Sequence, residues 1–235
     1  MPNWCYNDLS IRGDHQTLER IQKDCLSTVE DENGAKVQKF DFERILPLPK
    51  GLKDVTFDNL MADRLRYYCL KAGLKYPDEA GENVYLRPKN LKLFHGQHLF
   101  TISEYESSLD FQFGKQHFQE GKRIYENFTK YHVAGFHDWR CLHWHTKWNA
   151  RDCKCNNGFQ HLSDGQISIV FTTPWNPPDL VILALSKAFP TATFQLACSY
   201  DDEDDDDIWT YQKGSTLSHV KKPPSYRPEK DEADD

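Results

Sequence analysis

The sequence predicts an α+β fold whose core is an antiparallel sheet with two helices on one face. Two observations predict it: a strand-helix-strand succession occupies the first forty-odd residues, and a second one occupies residues 165–200. The chain between them is too long for a loop without structure of its own, which indicates an inserted subdomain. With 235 residues, 38% of them apolar, the chain can bury a substantial core.

The first strand-helix-strand unit begins with apolar and polar residues alternating over 3–12, the pattern of a strand. A Gly-Asp pair then ends the strand, and Asp14 can cap the helix that follows. Apolar residues recur at helical spacing over 18–26. Alternation over 40–46, stopped by prolines, predicts the second strand.

The second unit repeats this order near the other end of the chain. Residues 167–171 alternate as a strand, and the prolines of 174–178 force a turn. Residues 179–189 are apolar almost all round, which predicts a buried helix, and 194–200 alternate as the last core strand. Two such units in succession predict a split β-α-β, ferredoxin-like core.

The predicted organisation therefore has three parts. Residues 1–49 and 165–215 form the ferredoxin-like core, residues 50–164 form a large α+β insertion, and residues 216–235 form a flexible charged tail. Within the insertion we expect helix 57–72, loop 73–90, paired strands 99–105 and 109–113, and helix 118–132.

Charge and cysteine content limit the classes of function. Lys and Arg number 29 against 36 acidic residues, so the chain lacks the basic excess typical of proteins that grip nucleic acid through phosphates. Seven cysteines, an odd number, indicate reduced thiols and an intracellular protein. No long apolar stretch and no signal-peptide pattern at the first residues occur, so we expect a cytoplasmic protein without a membrane partner.

The acidic excess coincides with one run of seven consecutive acidic residues, which repel one another and are therefore expected to be exposed. The run can be a solvated loop, a weak divalent-cation site, or a surface that engages a basic partner. As candidate partner-binding residues we take Asp201, Asp202, Glu203, Asp204, Asp205, Asp206 and Asp207.

Histidines and cysteines concentrate in residues 137–161, and such a segment can hold zinc. The candidate ligands are Cys141, His143, His145, Cys153 and Cys155. Two features argue against a zinc site: the Cys-Lys-Cys spacing is short, and the two histidines share a face only on a strand. The alternative is that the histidines hydrogen-bond beside tryptophans and the cysteines are half-buried.

The common signatures of enzymes are missing from the sequence. It contains no G-x-S-x-G nucleophile turn, no phosphate-binding G-x-x-x-x-G-K-[ST] loop and no H-E-x-x-H motif. The sequence therefore favours a protein without enzymatic activity and without a cofactor, zinc excepted. The six tryptophans can stack nucleic-acid bases, but tryptophans at strand ends more often fill a core.

Three short segments carry a resemblance to a known family: Met1-Pro2-Asn3-Trp4-Cys5-Tyr6-Asn7, Trp144-His145-Thr146-Lys147-Trp148-Asn149-Ala150 and Thr173-Pro174-Trp175-Asn176-Pro177-Pro178. Together they resemble the YubB ferredoxin-like proteins of phages and plasmids. The resemblance implies a ferredoxin-like core and a mobile-element origin, with no catalytic residues and no iron–sulfur cluster. It adds Trp144, Lys147, Trp148 and Trp175 as a candidate motif surface.

These observations together favour an interaction protein of a mobile genetic element, acting in the bacterial cytoplasm. It would bind a host protein with a basic surface, such as a defence component or a nucleic-acid-binding protein, through its acidic run. The alternative is a protein that binds a metal or single-stranded nucleic acid with residues 137–161.

Overall fold

A computed structural model describes residues 3–30, 34, 36–53, 55–56, 59–77, 84–85, 92–95, 98–101, 103–104, 107, 111–155, 165–200 and 206–222. The fold is mixed α+β, with a large antiparallel sheet and several helices. The chain divides into two compact units, Met1–Pro47 with Arg140–Asp235, and Leu48–Trp139. Among the described helices, none is both long and apolar enough to cross a membrane.

The strands of the first unit are β1 (Trp4–Arg12), β2 (Leu26–Glu30), β3 (Lys36–Phe40), β8 (Arg151–Cys155), β9 (Gln166–Pro174), β10 (Thr193–Tyr200), β11 (Asp206–Gln212) and β12 (Ser215–Lys222). Its helices are α1 (His15–Cys25), α2 (Phe42–Ile45) and α6 (Asp179–Ala188), together with the end of α5 (Phe136–Trp144). The second unit contains α3 (Asn59–Ala72), β4 (Lys75–Tyr76), β5 (Val84–Tyr85), β6 (Lys92–His95), β7 (His98–Thr101), α4 (Phe111–Tyr131) and the start of α5.

Six strands form the main sheet in the order β12-β11-β10-β1-β9-β8, and each neighbouring pair is antiparallel. At its centre, Leu9 of β1 lies opposite Leu196 of β10 and Ile169 of β9. The first strand and residues 165–200 therefore share one sheet, as the alternating pattern predicts. Asp14 caps α1, since its side chain accepts a hydrogen bond from the Thr17 N–H.

One predicted strand is wrong. Residues 40–46 were expected to alternate as a strand of the core, but they form the end of β3 and the short helix α2. Asp41 caps this helix by accepting from the Glu43 N–H, and Asn149 holds both Asp41 and the Phe42 N–H. β3 pairs with β2 outside the main sheet, and β8 takes the place beside β9.

Aromatic rings fill the core of the first unit. Phe171 lies 5.4 Å from Phe40 and 6.0 Å from Phe42, measured between ring centroids. The Trp144 ring lies 5.5 Å from Phe42, and its Nε1–H donates to the Leu46 carbonyl. Because these four rings are fully buried, Trp144 belongs to the core and is not part of an exposed motif surface.

The helices of the second unit, α3 and α4, confirm the predictions of helices at 57–72 and 118–132, although α4 begins earlier, at Phe111. The predicted pairing of 99–105 with 109–113 is wrong, because β7 ends at Thr101 and α4 already includes 111–113. The spacing of Phe111 and Phe118, seven residues apart, extends the helical pattern. The hairpin instead joins β6 and β7.

The boundary between the two units falls inside the predicted insertion. Residues 140–155, including β8, lie in the same unit as the main sheet, whereas the sequence assigns all of 50–164 to the insertion. This placement puts residues 140–155 of the His- and Cys-rich segment in the first unit, while residues 137–139 belong to the second. It is therefore the first unit that carries the candidate site.

Candidate binding pocket

A concave pocket of about 480 Å³ lies within the first unit, where the ends of β9 and β10 and the start of β11 meet the C-terminal end of α5 and the N-terminal end of α6. It is lined by Cys141, His145, Thr146, Lys147, Pro174, Trp175, Asn176, Pro177, Asp179, Tyr200, Asp207 and Trp209. Its volume lies in the range of small-ligand sites. Residues from four separate stretches of the sequence thus share one cavity.

Hydrogen bonds join the three segments on which the family resemblance rests. The Trp175 N–H donates to the Asn3 carbonyl at 2.8 Å, and the Thr146 hydroxyl donates to the Pro174 carbonyl at 3.1 Å. Buried Asn7 donates from Nδ2 to the Thr173 hydroxyl oxygen at 2.9 Å. Segments far apart in the sequence are therefore held together around this pocket.

Two residues of the pocket wall have a left-handed backbone. His145, which follows the last residue of α5, has φ 62°, and Trp175, which follows β9, has φ 71°. Each such conformation costs a non-glycine residue about 1–3 kcal/mol, so surrounding contacts must hold it. Strained residues of this kind cluster at functional sites, although His132, Asp152 and Lys213 have the same backbone conformation and do not line the pocket.

A histidine and an aspartate meet at the pocket wall. His145 Nδ1 lies 2.6 Å from Asp179 Oδ1, and Asp179 is the first residue of α6, where the helix dipole favours a carboxylate. Among the described residues, Oδ1 has no donor in good hydrogen-bond geometry. Oδ1 is buried against the imidazole, so a ligand could reach only the exposed part of the Asp179 side chain, which is 30% exposed.

Two tyrosine hydroxyls of the first unit stay protonated. Tyr211 is buried, and its hydroxyl has no hydrogen-bond partner within the described ranges. Burial, and then the negative charge of Asp179, raise the pKa of Tyr211. Burial likewise raises the pKa of Tyr200, which lines the pocket. Both phenols are therefore neutral hydrogen-bond donors at physiological pH.

The described end of the acidic run contradicts the prediction of full exposure. Asp206 and Asp207 begin β11 and are buried, 7% and 8% exposed respectively. Asp207 lies 2.6 Å from His219 Nε2 and 3.5 Å from Lys221 Nζ, so cationic and imidazole groups of β12 compensate its charge. Asp201, Asp202, Glu203, Asp204 and Asp205 lie outside the described residues.

Aromatic side chains form much of the remaining wall. Trp175 is 48% exposed, and Lys147 Nζ lies 5.9 Å from the centroid of its ring. The Trp209 ring stacks on His219 at 4.5 Å with an interplanar angle of 2°. The pocket therefore combines exposed π surface with carboxylates.

The predicted metal ligands are only partly brought together. Cys141 and His145 line the pocket, His143 lies on α5, and Cys153 lies on β8, where burial raises the pKa of its thiol. The side chain of Cys155 lies outside the described residues. Across the part of the chain that the structure describes, no group of three or more His, Cys, Asp or Glu side chains could hold a metal.

Three pocket residues, Asp179, Tyr200 and Trp209, lie outside both the predicted site residues and the three resemblance segments. A polar residue directly after the proline turn at the start of a helix is the signal that could have singled out Asp179. Tyr200 and Trp209 flank the acidic run in the sequence, but nothing local indicates that both face one cavity. Of the predicted motif surface, Lys147 and Trp175 line the pocket. Trp148, the residue after Lys147, is exposed.

Comparisons with known proteins give one structural likeness. No family model matches the chain, and no curated protein matches it. The crystal structure of a protein api92 from Yersinia pseudotuberculosis, of the family DUF1281, is similar with a TM-score of 0.46 and 11% sequence identity. The match covers 97% of this chain and 100% of that one.

Proposed function

We propose that the chain is a non-enzymatic interaction protein that binds a basic surface of a partner protein through its acidic run and the adjoining pocket. The observation that carries this is the position of Asp207, the last residue of the run, in the pocket wall. Tyr200, the residue directly before the run, lines the same pocket. The acidic run thus begins directly after one pocket residue, Tyr200, and ends at another, Asp207.

Charge supports a basic partner. The formal net charge of the chain is −7, and the run contributes seven acidic residues. A concentrated negative charge speeds association with a basic surface, and this effect weakens as salt screens it. A partner bound this way would associate quickly at low salt and be released at high salt.

The proposal also includes a fold type, an origin and a kind of partner. The order β10-β1-β9-β8, with α1 following β1 and α6 following β9, supports a ferredoxin-like split β-α-β core. A mobile-element origin is supported by the resemblance of the three segments that meet at the pocket. We propose a host defence or nucleic-acid-binding protein in the bacterial cytoplasm as the partner. Metal or single-stranded nucleic-acid binding by residues 137–161 stays a prediction, tested by metal analysis of protein purified without chelator.

The test compares two variants that lose the same five negative charges. One replaces Asp201, Asp202, Glu203, Asp204 and Asp205 by the corresponding amides, and the other replaces Glu229, Asp231, Glu232, Asp234 and Asp235 in the same way. Proteins captured from bacterial lysate at low and high salt are compared for the wild type and both variants. We expect the first variant to lose a salt-sensitive partner that the second retains.

Two results would overturn this function. If both variants retain every captured protein with unchanged salt dependence, the run has no role in binding. If both lose the same proteins, only the overall charge matters and the run is not a specific surface.

A further inference from the structure

We propose that the pocket binds the guanidinium group of an arginine side chain presented by the partner protein. This inference rests on the proposed function, because it names the group that the pocket would take from a basic partner. It adds a chemical preference that the acidic run cannot supply, since a run of negative charges attracts lysine and arginine alike.

The aromatic wall suits a planar cation. A guanidinium stacks on the faces of tryptophan and tyrosine better than a compact, strongly hydrated ammonium does. Trp175 offers an exposed ring, and Tyr200 and Trp209 line the same cavity. Since His219 covers one face of Trp209, a ligand would meet the other face or the edge of that ring.

The carboxylates supply hydrogen-bond acceptors for the five N–H donors of a guanidinium. Asp179 is suited to this role because its side chain is 30% exposed, although its Oδ1 is buried against His145 Nδ1. Asp207 is 11% exposed at its side chain and is already compensated by His219 and Lys221. Asp179 is therefore the main anchor, and Asp207 contributes negative potential at the wall.

Lys147 already demonstrates a cation beside the Trp175 ring. Its Nζ lies 5.9 Å from the ring centroid, within the distance at which the interaction is favourable. An incoming guanidinium would compete with this ammonium for the ring and would be repelled by its charge. Removing the charge of Lys147 should therefore strengthen binding, which is an outcome that a merely structural role does not produce.

The experiment titrates the full-length protein with three synthetic peptides and follows binding by calorimetry at low salt. The peptides carry three arginines, three lysines or three citrullines between glycines; citrulline keeps the planar shape of arginine without its charge. We expect the arginine peptide to bind about tenfold more tightly than the citrulline peptide, a difference of about 1.4 kcal/mol, and more tightly than the lysine peptide.

Pocket variants and a matched control locate the site. Trp175→Ala and Asp179→Asn should each weaken binding of the arginine peptide by about tenfold, whereas Lys147→Met should strengthen it. Trp148→Ala is the control, because Trp148 is 39% exposed but does not line the pocket. Trp175→Phe keeps an aromatic ring and should retain most of the affinity, which guards against a loss caused by misfolding.

The outcomes separate this inference from the proposed function. Equal affinity for arginine and citrulline peptides, or equal effects of Trp175→Ala and Trp148→Ala, would overturn the guanidinium site. The variant lacking the charges of residues 201–205 should still prefer arginine over citrulline. If it does so while its lysate partners are unchanged from the wild type, the acidic-run function fails and the pocket preference stands.

Discussion

The two compact units are stabilised in different ways. The unit of Met1–Pro47 and Arg140–Asp235 is built on a six-stranded sheet, with its buried aromatic rings packed against alternating apolar residues of the strands. The unit of Leu48–Trp139 is built on the pairing of α3 with α4 around Leu65, Cys69 and Ile124. In the sheet unit large side chains fill the core. In the helical unit Gly121 of α4 has no side chain, which allows α4 to approach the backbone of α3 at Arg64.

The largest effect is expected from removing a ring of the sheet unit. Phe171→Ala should lower the free energy of unfolding by about 3–5 kcal/mol, because it leaves a cavity between Phe40 and Phe42. Urea denaturation measures this loss. Phe171→Leu fills part of the space and should cost less; an equal cost for both changes would contradict the cavity explanation.

The second-largest effect on stability is expected at Gly121 of the helical unit. A Cβ at this position would overlap the backbone carbonyl oxygen of Arg64 and lie 2.7 Å from the Tyr68 Cβ. Gly121→Ala should therefore destabilise the protein by about 1–3 kcal/mol in urea denaturation. In an open helix the same change stabilises by about 1 kcal/mol, so a gain in stability would show that the helices do not pack closely here.

Each unit contains a buried thiol, so the pH dependence of stability can be compared between the two units. Burial raises the pKa of Cys25 in the first unit and of Cys69 in the second from the ordinary value of 9.0 to about 12. The unfolded thiols ionise above pH 9 while the folded ones do not, so stability is lost as the pH rises from about 9 towards 12. For each of the two thiols, raising the pH from 9 to 10 should lower the free energy of unfolding by about 1 kcal/mol.

Thiol-free variants provide the control for this pH dependence. Cys25→Ala and Cys69→Ala, measured by urea denaturation at pH 7, 9 and 10, should each show a shallower decline than the wild type. An unchanged decline in either variant would mean that the thiol of that unit is not buried as described.

The smallest effect is expected at a helix cap of the sheet unit. The hydrogen bonds from Thr17 lower the pKa of Asp14, so its carboxylate stabilises the folded state at neutral pH and this contribution is lost as the pH falls below the ordinary value of 3.8. Asp14→Ala should lower the thermal midpoint slightly at pH 7. At pH 2 the variant and the wild type should differ less; a constant difference would contradict the ionic cap.

The sequence predicts the elements whose pattern is local. β1, β9 and β10 alternate, α1 and α6 follow a cap or a proline turn, and each lies close to its predicted position. The strand β8 could not be predicted in the same way, because its register with β9 shifts between Arg151 and Lys154. Its place in the sheet depends on pairing with a distant strand and not on its own periodicity.

Long-range hydrogen bonds explain the other difference in the fold. The pattern of 40–46 favours a strand, but Asn149, more than a hundred residues away, donates to Asp41 Oδ1 at 2.7 Å and accepts from the Phe42 N–H at 2.9 Å. These bonds hold the turn that begins α2. No property of residues 40–46 alone indicates such a partner.

Only part of the candidate site could be predicted for a similar reason. His145, Lys147 and Trp175 stand out in the sequence by residue type and motif, and they do line the pocket. Asp179, which contacts His145, is 34 positions away and is placed by the start of α6. Residue type thus suggests chemical groups, and the sheet topology decides which of them meet.

Asn7 links the pairing register of three strands to the shape of the pocket. Its amide donates to the Thr173 hydroxyl oxygen of β9 and accepts at 3.2 Å from the Cys198 thiol of β10, so one side chain bridges three strands. A slip of one residue would leave this amide in an apolar core without partners. Since the Thr173 hydroxyl in turn donates to the carbonyl of Asn176, which lines the pocket, a misaligned sheet would also deform this cavity.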